Sequence, residues 1–396
     1  MGDRPSRADR ALAEGSEVGA RSARPELLEA LHRVFDPEAP SQANVPVKGD
    51  QDLLLRAVQR QRLALVLAPV ATSLPWPPAA VEALRQEARS QQRAALALIA
   101  ATLEVSAALD AEGLRALCIK GPALALQTTG QSWSRGGGDI DVLVAPADLP
   151  RAVGVVEALG FAQPPGQFPR DFGSFWGRYC RWASHELPLW RQGRWLDLHW
   201  ALNTVRAPLP PFEALWQARQ VVTLNGRAVA TLALEHAFRH SCLHAASDQW
   251  MELRHLVDIT LLARQLPAAA AARLRRLPSV RHSCAAAYDA TGCSALLAFT
   301  DPHRADCRRA IARARWAQER PPRVSADGAW HPGHWLATVV QQASLSSSPL
   351  DWLRVVARFS LLPAAFNDPL TGEDRGLMAM VQARRGRLRE RMAERS

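Results

Sequence analysis

A six-residue run, Asp139–Val144, constrains the fold of this 396-residue chain more than any other segment. Its sequence is DIDVLV, so two carboxylates lead directly into an apolar stretch. Residues i and i+2 of a strand point to the same side, so Asp139 and Asp141 would share one face while the residues between and after them enter a core. Three glycines, Gly136–Gly138, precede the run and favour a turn. The pattern predicts a buried strand that carries a carboxylate pair.

The carboxylate pair itself predicts a metal site. Two negative charges on one face repel each other in a dry site, and a divalent cation between Asp139 and Asp141 removes that repulsion. Carboxylate oxygens are hard ligands, which favour Mg²⁺ over zinc. Many D-x-D pairs on protein surfaces bind nothing, and the residues alone leave that alternative open.

Helical patterns surround the segment that contains this strand. Before it the sequence is rich in helix-forming alanine, leucine and arginine, and after it apolar residues again recur at helical spacing. Between these regions, short apolar runs alternate with glycine-containing turns, including hairpin signals at Gly193 and Asn225-Gly226. We therefore predict an α+β fold with a small mixed β-sheet domain between N-terminal and C-terminal helical regions. The predicted segments are a disordered tail (1–24), a helical region (25–112), the sheet domain (113–232), a helical domain (233–377) and a basic tail (378–396).

Composition narrows the classes of protein that fit. No stretch has the pattern of a signal sequence or a membrane span, and we expect no membrane partner. Six widely spaced cysteines do not resemble a disulfide framework, and reduced thiols indicate a cytoplasmic protein. The net charge of +10 favours phosphate-bearing partners, although charge spread over solvated helix faces would give the same total.

A lysine–glycine turn precedes the carboxylate strand. Lys120 and Gly121 lie between an apolar run at 114–119 and a predicted helix at 122–127. The first turn of a helix presents free backbone N–H groups that bind phosphate, glycine permits close approach, and lysine adds a positive charge. An ordinary strand-to-helix turn would show the same residues, and that alternative stays open.

Three blocks of sequence follow one another in order. They are Ile119–Ala125 with Arg135 and Gly138–Val144, then Trp195–Trp200, then the histidine-containing segment His236–Leu262. Together they resemble the uncharacterised bacterial nucleotidyltransferase family of the polymerase-beta-like nucleotidyltransferase superfamily. The family usually has a Tyr- and Pro-rich loop before its arginine, whereas this chain has TTGQSW at 128–133, which leaves the acceptor preference open.

The resemblance implies a Mg²⁺-dependent nucleotidyltransferase that moves a nucleoside monophosphate from an NTP to an acceptor and releases pyrophosphate. It also implies a third carboxylate on a neighbouring strand. Asp197 is the candidate, because a strand would place Asp197 and His199 on one face. Pairing of Asp197 with a nearby arginine is the alternative. The implied catalytic and metal-binding residues are Asp139, Asp141 and Asp197, and the implied phosphate-binding residues are Lys120, Gly121 and Arg135.

The sequence does not fix the acceptor. A small molecule, a peptide or a protein is favoured, and an RNA end also fits. Two other functions compete with the enzyme. One is a catalytically weak nucleotide-binding or partner-binding protein of the same fold, and the other is a basic nucleic-acid-binding protein. The presence of all three carboxylates favours the enzyme.

Three histidines, His236, His240 and His244, lie at i, i+4 and i+8 of one predicted helix. They would bind zinc, line the cleft beside the sheet domain, or pack in the core. Zinc is the least favoured of these, because the sequence shows no closed set of four ligands. Asp258, late in the same segment, is predicted to pair with an arginine or to cap one.

Overall fold

A computed structural model of the protein describes residues 24–36, 51–164, 168–169, 171–319, 332–346 and 348–361. The class is α+β, as predicted, with a mixed sheet between two helical regions. Nearly all of the predicted tail at 1–24 and all of the basic tail at 378–396 lie outside the described residues. The predicted domain boundaries stay predictions.

Four helices precede the sheet within the described residues. They are α1 (Arg24–Phe35), α2 (Gln51–Arg60), α3 (Ala64–Leu67) and α4 (Pro78–Ala111), with a 3-10 helix at Ala68–Ser73. Helical spacing across 52–66 predicts one helix, where the structure has two. The helix ends because Arg62 has a left-handed backbone, with φ at +53°, which an α-helix does not accommodate.

Six strands form one sheet in the described part of the chain. They are β1 (Ala116–Cys118), β2 (Asp139–Val144), β3 (Glu186–Arg191), β4 (Arg194–His199), β5 (Gln220–Leu224) and β6 (Arg227–Thr231). Their order is β3-β4-β2-β1-β6-β5, with β2 parallel to β4 and β1 parallel to β6. The two outer pairs are the predicted hairpins, and their turns at Gln192-Gly193 and Asn225-Gly226 use left-handed residues.

Helices also connect the strands. They are α5 (Gly121–Thr129), α6 (Leu149–Ala158), α7 (Phe175–Ala183) and α8 (Phe212–Gln217). The sequence pattern predicts α5 and α6 but neither α7 nor α8. The predicted strand from Ala183 begins later, at Glu186, because the chain is still helical at Ala183. Helix α7 has its own start signal in Ser174, whose side chain accepts a hydrogen bond from the Gly177 N–H.

Further helices follow the sheet. They are α9 (Leu234–Ser247), α10 (Leu253–Ala263), α11 (Ala268–Leu274), α12 (Pro278–Thr291), α13 (Ala305–Gln318), α14 (Pro332–Ser344) and α15 (Pro349–Leu361). Helical spacing across 234–265 predicts a single helix, which is wrong. Gln249 and Trp250 adopt left-handed φ values of +56° and +53° and separate α9 from α10. The Trp250 indole is buried and donates to Ser283 Oγ at 2.7 Å, which offsets the backbone strain.

The helical regions on both sides of the sheet share one hydrophobic core. Leu31 and Leu84 belong to the same buried cluster as Phe238 and Leu256. Leu143, on the same face of β2 as the two aspartates, belongs to this cluster too. The carboxylates of the sheet therefore face the shared helical layer.

Helix α4 packs in both cores of the protein. Leu84 in its first half packs with the helical layer, whereas Ile99 and Val105 in its second half pack under the opposite face of the sheet. An 18-residue window of this helix has a mean hydropathy of 1.7 and is 39% buried, so its length and composition would also suit a membrane span. Core helices satisfy the same criteria, and the absence of a membrane partner stays a prediction.

Candidate functional site

Three carboxylates lie on one face of the sheet. In β2, Asp139 and Asp141 alternate with the buried Ile140, as the two-residue period of a strand requires. Strand β4 runs parallel to β2 with Asp197 directly opposite Asp141. The structure therefore brings the three predicted site carboxylates together, with Asp141 in the middle.

The donor set around Asp141 suits a divalent cation. Donor atoms of Asp141, Asp197 and His199 all lie within 4.8 Å of one another. Two of these side chains supply carboxylate oxygens, the ligands that Mg²⁺ prefers. Asp139 is outside this group of three, so its role as a metal ligand stays a prediction.

A fourth carboxylate, that of Glu186, lies on the same polar face. The sequence analysis did not predict Glu186 as a site residue. Glu186 lies opposite His199 in the antiparallel pairing of β3 with β4. His199 Nε2 lies 3.3 Å from Asp141 Oδ1, and His199 Nδ1 lies 3.6 Å from Glu186 Oε2. This Nδ1 is buried and makes no hydrogen bond. The buried residues Leu187 and Leu189 alternate with Glu186, and this alternation is the signal that places Glu186 on the polar face.

Lys120 compensates the charge of Asp141. Its Nζ lies 3.1 Å from Asp141 Oδ1, and both side chains are largely buried. Lys120 immediately precedes α5, whose first residue, Gly121, has φ at +54°. A Cβ atom at Gly121 would lie 3.8 Å from the Asp139 carbonyl oxygen, which is ordinary contact. Backbone conformation, and not space, is therefore what requires glycine after Lys120.

Replacing Gly121 with alanine is expected to destabilise the protein by about 1–2 kcal/mol, because an L-residue pays that cost in the left-handed region. The matched control is Gly154→Ala. Gly154 lies within α6 with open space around its Cβ position, so alanine there is expected to stabilise by up to about 1 kcal/mol. Urea unfolding of the two variants measures both effects. Equal stabilities for the two variants would contradict the backbone argument.

The close approach of several buried carboxylates and Lys120 shifts the pKa values of the three aspartates in different directions. Burial alone would raise the pKa of Asp141, but the charge of Lys120 and the contacts with His199 and Lys120 together outweigh burial and hold that pKa well below its usual range. Burial, Glu186 and Asp141 together raise the pKa of Asp197 to about 7. Burial and Asp141 also raise the pKa of Asp139. The raised pKa values reflect burial together with negative charge that Lys120 compensates only in part and that a divalent cation would compensate further.

Arg135 is held by a buried ion pair. Its guanidinium lies 3.0 Å from the carboxylate of Asp258, and the two side chains are only 8% and 6% exposed. The prediction that Asp258 pairs with an arginine is confirmed. The pair joins the loop before β2 to helix α10 of the helical layer. Binding of phosphate by Arg135 stays a prediction.

Two of the three spaced histidines line a pocket next to the carboxylate face. His240 and His244 border this small pocket together with Lys120 and Arg135, whereas His236 does not. Burial and the charge of Lys120 hold the pKa of both His240 and His244 well below its usual range, so both are neutral. For these two residues the structure favours the cleft-lining interpretation.

A metal site at the histidines is disfavoured by the charges around it. Donor atoms of His244, Asp248 and His255 lie within 4.8 Å of one another. However, a guanidinium nitrogen of Arg254 lies 3.4 Å from His255 Nε2. A fixed positive charge at this distance repels a cation.

Comparison with known proteins gives one match. Residues 48–297 match the family described as "Uncharacterised nucleotidyltransferase", and this span is more than half of the chain. No curated protein and no solved structure matches the chain. The matched span includes α2 to α12, and with them every residue of the candidate site.

Proposed function

The chain belongs to the family of uncharacterised nucleotidyltransferases, and we propose that it moves a nucleoside monophosphate from an NTP to a hydroxyl or phosphate acceptor, with Mg²⁺ as cofactor and pyrophosphate as product. The observation that carries this proposal is the register that sets Asp197 opposite Asp141 on the polar face of the sheet. Cross-strand neighbours of this kind point the same way, so their oxygens are available to one ligand.

Each residue of the site has a distinct task under this proposal. Asp139, Asp141 and Asp197 hold the cation. When bound, Mg²⁺ neutralises charge on the α-phosphate and on the leaving pyrophosphate. Lys120 fixes the orientation of the Asp141 carboxylate through the contact of 3.1 Å. At the start of α5, where Pro122 has no N–H, the backbone N–H groups of Gly121 and Ala123 would bind phosphate oxygens.

His199 at the end of β4 and Glu186 at the start of β3 support the aspartates of the face. His199 contacts Asp141 on one side and approaches Glu186 on the other, which limits the rotation of its imidazole. A ligand carboxylate held by such neighbours is already oriented before the cation arrives. His199 is therefore a positioning residue in this proposal.

A screen of the four NTPs with pyrophosphate detection, followed by mass spectrometry of the products, tests the proposal. We expect pyrophosphate release that requires Mg²⁺, and thermal stabilisation by an NTP with Mg²⁺. A catalytically weak nucleotide-binding protein would show the stabilisation without turnover. A basic nucleic-acid-binding protein would bind RNA or DNA in a salt-sensitive manner that is indifferent to Asp139 and Asp141.

The raised pKa of Asp197 predicts how stability depends on pH in metal-free buffer. A carboxyl group whose folded pKa is about 7, above its unfolded value, contributes stability that is present below the unfolded pKa and lost as pH rises through about 7. The variant Asp197→Asn has no carboxyl group at this position, so its stability should not fall in this way as the pH rises. At pH 8 with a chelator, we expect it to exceed wild type in stability by about 1 kcal/mol or more.

Thermal unfolding at pH 5 and pH 8 measures this difference, with the exposed Asp110→Asn as the matched control. The advantage of Asp197→Asn should appear at pH 8 and shrink at pH 5, and the control should show neither. Addition of Mg²⁺ at pH 8 should stabilise wild type more than Asp197→Asn. An advantage that is the same at both pH values would argue against the raised pKa.

A further inference from the structure

Two arginines, one from each helical region, lie beside the contact between α10 and the turn after α2, and Arg254 also contacts the glycine loop before β2. Arg62 follows the break after α2, and Arg254 lies in the first turn of α10. The neighbour of Arg62, Gln61, joins the two regions: its Oε1 accepts from Leu253 N at 2.7 Å, and its Nε2 donates to Met251 O at 3.3 Å. Gln61 is 4% exposed, so these hydrogen bonds are sheltered from water. The contact fixes the position of Arg62 relative to the start of α10.

The guanidinium of Arg62 has no hydrogen bond or ion pair with any residue that the structure describes. Its backbone is left-handed, which is an unfavourable conformation for arginine. Glycine would adopt the same φ without strain. Arginine at this position therefore destabilises the fold, and no hydrogen bond or ion pair of its guanidinium with a described residue offsets that strain.

Arg254 is buried, and its hydrogen bonds are incomplete. One terminal nitrogen donates to the Gly136 carbonyl at 2.6 Å, and the other lies 3.4 Å from Glu252. Its Nε is buried and makes no hydrogen bond. A buried donor without a partner carries a desolvation cost, which a bound acceptor would remove.

Arg254 contacts Gly136 in the loop that leads into Asp139, and Arg62 lies next to the residue that contacts the start of α10. Both Arg62 and Arg254 oppose the rise in the pKa of Asp139 that burial and Asp141 cause. Burial, Arg135 and Arg62 lower the pKa of Arg254 to about 10. Because Gln61 accepts a hydrogen bond from Leu253 N, the sequence neighbours of Arg62 and Arg254 are in direct contact, which brings two positive charges near each other. An anion between them would relieve this repulsion.

We propose that Arg62 and Arg254 form a phosphate-binding subsite for the β- and γ-phosphates of the nucleotide, on the side of the site where Asp139 begins β2. The proposal rests on the proposed nucleotidyl transfer, because only that reaction brings a polyphosphate to this face. Arginine forks match the oxygens of a phosphate, and a charged hydrogen bond of this kind is stronger than a neutral one. Each of the two helical regions thereby contributes one arginine to the substrate site.

Replacement of Arg62 by glycine separates binding from folding. Glycine removes the guanidinium and relieves the left-handed strain, so Arg62→Gly should unfold at no lower temperature than wild type. Its affinity for inorganic tripolyphosphate, measured by calorimetry without divalent metal, should fall about 10-fold or more. Arg62→Lys keeps the positive charge but loses the two-pronged hydrogen bonding of a guanidinium. Its affinity for tripolyphosphate should lie between that of wild type and that of Arg62→Gly. The matched control is Arg93→Ala, which removes the same charge from an exposed position on α4.

The outcomes separate this subsite from the proposed reaction. A stable Arg62→Gly protein with weakened binding, beside an unaffected Arg93→Ala protein, supports the subsite. Failure of wild type to bind tripolyphosphate, affinity of Arg62→Gly within about twofold of wild type, or equal losses in Arg62→Gly and Arg93→Ala would each overturn it. Arg62-dependent binding without pyrophosphate release from any NTP would reject nucleotidyl transfer and leave an anion site at these arginines.

Discussion

Replacement of Asp141 by asparagine is expected to lower the rate of pyrophosphate release on the order of 10³-fold, the scale of losing a preorganised charge at the reacting phosphate. Asp141 is the central carboxylate of the face, with Lys120 at 3.1 Å and His199 at 3.3 Å on its Oδ1. Asparagine keeps the shape of the side chain and one acceptor oxygen but removes the negative charge. The loss should therefore appear in kcat with the fold retained.

Rates are measured with a coupled pyrophosphate assay at saturating NTP and Mg²⁺, together with thermal unfolding of each variant. Asp110→Asn makes the same chemical change at an exposed position on α4 and should leave the rate unchanged. Thermal stabilisation by Mg²⁺ and NTP should be lost in Asp141→Asn alone. A folded Asp141→Asn protein that keeps more than about a tenth of the wild-type rate would contradict the role proposed for this carboxylate.

The parts of the fold that depend on local sequence were predictable. The apolar run of β2 and the turns at Gly193 and Gly226 are local signals, and each gave the correct element. The two helix breaks were not predictable, because Arg62 and Trp250 adopt left-handed backbones that neither side chain favours locally. Tertiary contacts impose both conformations, through the Gln61 amide beside Arg62 and through the buried indole of Trp250.

The residues of the candidate site likewise divide into those that local sequence indicates and those that depend on distant contacts. Asp139 and Asp141 share a face by strand period alone, the strand-to-helix turn indicated Lys120, and the family resemblance added Asp197. Glu186 depends on how β3 and β4 pair, and a register between strands is set by the whole hairpin. Arg62, the arginine proposed for the phosphate subsite, lies about 80 positions earlier in the chain than Asp139, and a contact of its neighbour Gln61 joins the two helical regions. The contact made by Gln61 leaves no spacing signal in the sequence, whereas alternation with Leu187 and Leu189 does indicate the face of Glu186 but not its partner strand.

The Arg135–Asp258 pair is the interaction whose disruption should cost the most stability. It lies between the loop that leads into β2 and helix α10, and neither side chain is more than 8% exposed. Removal of one partner from a buried pair leaves the other charge buried without compensation, which costs about 3–5 kcal/mol. Removal of one partner from an exposed pair costs at most about 1 kcal/mol. Whether the loss of stability is about 3–5 kcal/mol or about 1 kcal/mol depends on how deeply the pair is buried, and not on how many hydrogen bonds it makes.

Asp258→Ala is therefore expected to lower the free energy of unfolding by about 3–5 kcal/mol in urea titrations. Glu213→Ala is the matched control, because it breaks the Arg115–Glu213 pair, whose side chains are 39% and 62% exposed. The double variant Arg135→Met with Asp258→Leu removes both charges and should recover most of the loss, since apolar side chains of similar size replace a buried pair at little cost. If Asp258→Ala costs no more than Glu213→Ala, water reaches Arg135, and the loop before β2 is not held to α10 as the structure indicates.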